Sequence, residues 1–184
     1  MVHSLNWGVV STISTRSDVF SSSSEGDIPI PFGNVYSFAD GMCDLSSSSG
    51  VPYLYGTILD QTVQDIEENP IVSLALTEAS IQSPTFSSCN LSEHGDPENP
   101  PCARLVITGK FVKVTSQEEL DFAKQALFSR HPAMKYWPSN HEFFVGKIEI
   151  EDLWFLDWFG GASILNIEDY YGASLESLKM KSKI

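Results

Sequence analysis

Between Arg16 and Arg104 the chain contains neither lysine nor arginine. That gap, residues 17–103, carries 13 acidic side chains, while the rest of the chain holds all 11 bases and an equal number of acids. The formal charge of −13 is therefore the charge of one contiguous segment. A segment with no cations cannot neutralise a phosphate backbone, which argues against nucleic acid as a direct partner. The same deficit argues against an anionic membrane surface.

Other absences narrow the field further. No run of 18 apolar residues occurs, so a membrane-spanning helix is not expected. The opening residues Met1-Val2-His3-Ser4-Leu5-Asn6-Trp7 lack the basic and apolar regions of a secretory signal. There is no Gly-x-Ser-x-Gly elbow, phosphate-binding P-loop or Gly-x-Gly-x-x-Gly turn, which removes the commonest hydrolase, nucleotide-hydrolase and Rossmann readings. The four histidines (His3, His94, His131 and His141) include no pair at short metal-ligand spacing. Gly160-Gly161 reads as a turn, and Glu67-Glu68 and Glu151-Asp152 as solvated faces. From the residues alone, no catalytic, cofactor-binding or metal-binding side chain emerges.

What is present is a β-rich chain of 184 residues, 42% hydrophobic and 11% aromatic, enough for one domain with a full core. Runs rich in β-branched and aromatic residues predict strands at 8–14, 34–38, 52–58, 71–77, 103–114, 143–151 and 153–158. In the fifth, Leu105, Ile107 and Phe111 share one face while Arg104, Thr108 and Lys110 share the other. Asp60 predicts the start of a short helix with Leu59, Val63 and Ile66 on its apolar side, ending at Asn69-Pro70. Ser116-Gln117-Glu118-Glu119 predicts a capping box, and the helix it opens carries Leu120, Ala123 and Leu127 at helical spacing and stops before Pro132. Asn166 is expected to cap a final turn through Tyr170-Tyr171. The serine runs 21–24 and 46–49 read as flexible loops. Many strands and two substantial helices make an α+β antiparallel barrel with helical insertions. Trp154, Phe155, Trp158 and Phe159 form an aromatic cluster suited to the core or to a dimer interface.

Three cysteines cannot all pair within the chain. Cys89 and Cys102 flank a polar, proline-rich loop that also holds the single sequon, Asn90-Leu91-Ser92. A bridge there would close about 14 residues, worth roughly 3 kcal/mol in the chain-entropy description. Bridge and sequon together point to an oxidising, secretory setting. On the residues alone, two free thiols and an unused sequon remain the alternative. Cys43 reads as unpaired.

An ordered series of motifs resembles one family. It comprises Asn6-Trp7-Gly8-Val9-Val10-Ser11-Thr12-Ile13-Ser14, Pro31-Phe32-Gly33-Asn34-Val35-Tyr36-Ser37-Phe38-Ala39-Asp40-Gly41 and Gly50-Val51-Pro52-Tyr53-Leu54-Tyr55. It continues with Glu68-Asn69-Pro70, Arg130-His131-Pro132-Ala133-Met134-Lys135-Tyr136-Trp137-Pro138-Ser139 and Trp158-Phe159-Gly160-Gly161. These resemble CREG, the cellular-repressor family of secreted glycoproteins within the flavin-binding split-barrel superfamily, whose enzymes include pyridoxamine-phosphate oxidase-like flavoproteins. The resemblance runs from about residue 3 to residue 172 and is most specific at 130–139. It implies a six-stranded antiparallel split β-barrel over 1–172 with a polar tail at 173–184. It also implies a leader peptide absent from this chain, secretion with lysosomal delivery, pairing of Cys89 with Cys102, and a glycan on Asn90. A homodimer is expected, with Trp154, Phe155, Trp158 and Phe159 as its interface. The implied partner is the cation-independent mannose-6-phosphate receptor, bound through glycans, and the implied role is restraint of growth and promotion of differentiation.

Flavin enzymes of that superfamily hold the FMN phosphate with Arg and Lys from the early strands, because a phosphate dianion taken from water needs charge-assisted partners. Residues 17–103 offer none. The expectation is therefore a non-enzymatic protein without FMN or other cofactor, its flavin site lost and its acidic 79–102 loop covering the ancestral pocket. The alternative, an FMN-dependent oxidoreductase, requires the fold to bring Arg104, Lys110 or Arg130 round to the site. Haem binding would require His131 or His141 as the axial ligand.

Overall fold

The computed structural model describes residues 1–18, 29–81, 89, 91, 95–173 and 175. The serine run 21–24, Asn90, most of the 79–102 loop's middle and most of the 173–184 tail lie outside the described residues.

Period-two alternation organises the first strands. In β1 (Trp7–Ile13) and β4 (Ile71–Thr77) every second residue is buried. β2 (Pro31–Ala39) starts on a proline, a place where the missing N–H is tolerated. It runs antiparallel to β1, with Val9 opposite Val35. β3 (Tyr53–Gly56) pairs with β2 on one side and with β6 (Phe144–Leu156) on the other. With β5 (Arg104–Lys113) between β4 and β6, the order β3-β2-β1-β4-β5-β6 returns to β3 and closes a six-stranded antiparallel barrel. Closure leaves no free edge within the ring. A two-residue β7 (Ser163–Ile164), not anticipated from its composition, adds to the far end of β6.

The barrel interior is filled by Val10, Phe38, Leu54, Leu74, Ile107, Ile148 and Leu153, none more than 1% exposed. α1 (Gln61–Glu68) follows β3, and α2 (Gln117–Arg130) packs outside the barrel over β2, β3 and β6. Its Ala123, Ala126 and Leu127 meet Ala39, Tyr53 and Val145 in a second apolar cluster. α3 (Ile167–Gly172) is capped as expected, with Asn166 Oδ1 accepting from the Asp169 N–H at 3.0 Å.

Three local expectations are corrected. The two strands expected around Glu151-Asp152 are one continuous β6 carrying a bulge. Thr108 faces Asp152 while Gly109 faces Ile150, so Glu151 is the extra residue. The bulge returns Leu153 and Phe155 to the interior side already used by Ile148 and Ile150, which is why the alternation restarts there. Gly109 makes the tight crossing feasible, since a Cβ there would lie 2.1 Å from the Glu149 carbonyl oxygen. The Ser116 capping box does not form. Glu119 instead accepts from the Tyr53 hydroxyl at 3.1 Å and from Lys147 Nζ at 2.7 Å, tying α2 to the barrel. Finally, β3 is shorter than 52–58, and Leu59 is 63% exposed; α1 buries Thr62, Val63, Asp65 and Ile66.

Cys89 and Cys102 are joined in a disulfide, and Cys43 is an exposed free thiol. Cys102 is buried immediately before β5, where the Ala103 N–H donates to Glu78 Oε2 at 3.1 Å. The bridge spans 13 positions. A Cys89→Ser, Cys102→Ala double variant is expected to lose about 3 kcal/mol, read as a lower urea midpoint. An unchanged midpoint would show that the loop is held by its other contacts.

Candidate functional site

Two polar centres lie beside the barrel. The first is the buried clasp around Asp40, which is fully inaccessible. Its Oδ1 accepts from His3 Nδ1–H at 2.9 Å and from Arg130 Nη1 at 3.4 Å, and its Oδ2 accepts from the Ser48 hydroxyl. The Asp40 carbonyl accepts from the Ser49 N–H at 2.9 Å and the Ser49 hydroxyl at 2.6 Å. In the run 46–49, expected to be a flexible loop, Ser48 and Ser49 latch onto Asp40 while Ser46 and Ser47 bond within 42–47. Gly41 permits the approach, because a Cβ there would sit 2.1 Å from the Ser47 carbonyl oxygen.

Arg130 completes the clasp. Its Nη2 donates to the carbonyls of His3 at 2.7 Å and Leu5 at 3.0 Å and to Asn6 Oδ1 at 2.9 Å, while Nε donates to Asn6 Oδ1 at 3.0 Å. The neighbouring His131 donates from Nε2 to the Phe38 carbonyl at 3.0 Å. Burial pulls the His131 pKa below its ordinary value, and the Arg130 charge adds to that against the opposing hydrogen bond. Arg130 is thus committed to structure, and His131 is held by the backbone. Neither is among the residues that line the cleft formed by β2, β3 and residues 134–143.

The second centre is a cleft of about 420 Å³, walled by three separate segments. β2 contributes Val35, Tyr36 and Ser37; β3 and the turn after it contribute Tyr55, Gly56, Thr57 and Asp60. The third wall is Met134, Trp137, Pro138, His141 and Phe143. Tyr55, Phe143 and Trp137 pack as a triad, with Tyr55 stacked on Phe143 at 5.0 Å and on Trp137 at 6.0 Å. Thr57 Oγ1 donates to the His141 carbonyl at 2.5 Å, pinning the third wall to the β3 turn.

Asp60 is the cleft's carboxylate. As N-cap of α1 it accepts the Thr62 N–H on Oδ1 at 2.8 Å. The Tyr36 hydroxyl donates to the same oxygen at 2.8 Å, and Asn34 Nδ2 reaches Oδ2 at 3.3 Å. Burial, then the Asp60 charge and the hydrogen bond to it, push the Tyr36 phenol far above its ordinary pKa. Tyr36 is therefore a fixed donor at any physiological pH.

The cations considered for a flavin phosphate are elsewhere. Arg104 donates to the Glu98 carbonyl at 3.0 Å, Lys110 is exposed on β5, and Arg130 is in the clasp. No lysine or arginine lines the cleft among the described residues, which present Asp60 and His141 as its ionisable acid and imidazole. A phosphate dianion placed there would meet a carboxylate and no compensating charge, so these residues do not fit an FMN phosphate.

The aromatic residues expected at a dimer interface differ in placement. Phe155 packs against the barrel core, and Trp154 lies opposite Ile164 of β7. Trp158 and Phe159, 60% and 67% exposed, contact each other beyond the end of β6. Among the described residues no cluster of three metal-ligating side chains occurs, and no helix is long and apolar enough to cross a membrane. Sequence reasoning did not find the cleft as a unit. The motif 130–139 was the available signal, since it supplies both the Arg130 anchor and the Met134-Trp137-Pro138 wall.

The closed six-stranded barrel with its appended strand belongs to the split-barrel class. It is similar to a haem-binding protein from Mycobacterium smegmatis, with a TM-score of 0.64 and 18% identity, over 93% of this chain and 57% of that one. HutZ, the haem storage protein from Vibrio cholerae, is similar with a TM-score of 0.51 and 13% identity, over 86% of this chain and 85% of that one. At such identities the likeness concerns the fold. The family model described as CREG, beta-barrel matches residues 1–172, and the chain belongs to the CREG family. It is 40% identical to chicken Protein CREG1 over 93% of this chain and 81% of that protein. It is 39% identical to human Protein CREG2 over 94% of this chain, spanning only 54% of that relative's length.

Proposed function

We propose that this protein is a non-enzymatic secreted glycoprotein on an oxidoreductase-like barrel that has lost flavin binding. In this reading it takes no cofactor and acts on growth and differentiation through receptor binding and lysosomal delivery, with the cation-independent mannose-6-phosphate receptor engaged through a glycan on Asn90. The observation that carries the reading is the cleft's charge. Its described walls hold a carboxylate and no base for a flavin phosphate, and Arg130, one of the candidate cations, is committed to Asp40. The Cys89–Cys102 disulfide supports passage through an oxidising compartment.

Self-association is part of the proposal, but on a different surface from the 154–159 cluster. The outward residues of three adjacent strands are Trp7, Val9, Ser11 and Ile13; Gly33, Val35 and Ser37; and Ile71, Ser73 and Ala75. None is ionisable, and Trp7, Ile13, Val35 and Ile71 are 38–62% exposed. A contiguous charge-free sheet face of this kind favours a second copy. Native mass measurement is expected to give a dimer at micromolar concentration and a monomer for Val35→Arg, whereas a monomeric parent would overturn the dimer. For the glycoprotein role, protein secreted from animal cells is expected to lose mass with glycosidase and to lose receptor capture in Asn90→Gln. Absence of both effects would overturn it.

A further inference from the structure

We propose that the cleft between β2, β3 and residues 132–143 binds an organic ammonium ion with an apolar, methylated head. This rests on the reading that the cleft no longer accepts a flavin phosphate, and it assigns that space a ligand of opposite charge.

Three features converge on a cation. The first is the aromatic wall. Tyr55, Phe143 and Trp137 line the cavity as a mutually packed wall, and Trp137 keeps 40% of its surface exposed. Negative ring faces attract a desolvated cation, and methylated ammonium groups suit them best because their charge is spread over apolar surface. The second is the carboxylate. Asp60 Oδ1 is saturated by the Thr62 N–H and the Tyr36 hydroxyl, but Oδ2 receives only the Asn34 amide at 3.3 Å. Unused lone pairs therefore remain on an acid held in place by its own capping role. The third is the absence of competition, since no lysine or arginine lines the cleft among the described residues.

The polar floor and apolar wall suit an amphipathic ion better than a bare metal. Among the described residues Asp60 is the only carboxylate lining the cleft, whereas a hard divalent cation collects several oxygen ligands. An inorganic anion has no donor cluster to meet. A neutral apolar ligand would pack on the aromatic wall but leave Asp60 Oδ2 with the Asn34 amide alone.

Choline is the probe, measured by calorimetry and by ligand-observed NMR on the full chain. The controls are its neutral carbon isostere, in which carbon replaces the quaternary nitrogen, and FMN. Choline is expected to bind with a dissociation constant of about 1 mM, and the isostere about tenfold more weakly. Asp60→Asn keeps an equally good N-cap and removes the charge, so it is expected to weaken choline about tenfold while leaving the isostere unaffected. Trp137→Leu, on the cleft rim, is expected to weaken both. Equal binding of choline and isostere, an unchanged affinity in Asp60→Asn, or no choline binding at tens of millimolar would each overturn the inference. FMN binding alongside choline would instead overturn the loss of the flavin site and leave the ammonium site standing.

Discussion

Arg130→Met is expected to destabilise the protein by about 3–5 kcal/mol, the range for breaking a buried ion pair by removing one partner. The Asp40 and Arg130 side chains are 1% and 6% exposed, so neither can recover the lost interaction from water. Removing the guanidinium strips three acceptors near the start of the chain, the His3 and Leu5 carbonyls and Asn6 Oδ1. It also leaves the Asp40 charge with His3 and Ser48 alone. Asp40→Asn should cost a similar amount for the converse reason, and the double variant should cost clearly less than the two singles added. Urea denaturation of the three variants measures this. Single-variant losses below about 1 kcal/mol would mean that the clasp behaves like a surface pair.

Asp65→Ala is expected to cost about 2–4 kcal/mol, because four donors lose one acceptor at once. This buried carboxylate accepts from Thr12 Oγ1 at 2.6 Å, the Thr15 N–H at 2.8 Å, Thr15 Oγ1 at 2.9 Å and Gln61 Nε2 at 2.7 Å. It locks α1 to β1 without a single cation. Burial alone would raise its pKa, but the hydrogen bonds outweigh burial and hold it below the ordinary carboxylate value. A depressed carboxylate stabilises the fold at pH above its unfolded value of about 3.9 and loses that contribution as pH falls through the folded one. His131, whose pKa is lowered by burial, acts in the same direction at milder acidity. It stays neutral in the fold while the unfolded chain takes up a proton below about pH 6.5. Stability should therefore decline on acidification in two stages, and Asp65→Ala should diminish the lower one. A denaturation midpoint that is flat with pH in the parent, or a lower stage undiminished in Asp65→Ala, would contradict the assignment.

Much of the barrel was legible because alternation survives in β1, β4 and β5 and because Asp60, Asn166 and Pro132 mark helix ends in the expected places. The errors arose where tertiary contacts override local chemistry. Glu119 satisfies Tyr53 and Lys147 in preference to its own helix start, and a bulge at Glu151 disguises one strand as two. The serine run 46–49 has no apolar side chain to announce a contact, yet Ser48 and Ser49 close on Asp40 through hydroxyl and backbone groups. The clasp was visible only as separate motifs. Asn6, Asp40 and Arg130 stood in three of them, and their meeting is a property of the closed barrel. The cleft was hidden for the same reason, since its walls come from residues up to 108 positions apart, Val35 to Phe143.

The base-free segment acquires a physical explanation in the structure. Its described buried and half-buried acids are served mostly by neutral donors. Asp60 uses Tyr36, Asn34 and a helix N–H, and Asp65 uses Thr12, Thr15 and Gln61. Only Asp40 draws on a guanidinium, supplied from α2. The early strands can therefore do without lysine and arginine while the barrel stays intact, and what they lack is the charge to hold a phosphate.

Titration of FMN with the purified 184-residue chain, followed by flavin fluorescence, tests that claim most directly. A colourless protein and flavin emission unchanged at micromolar protein are expected. Stoichiometric quenching, or a yellow protein as purified, would contradict it.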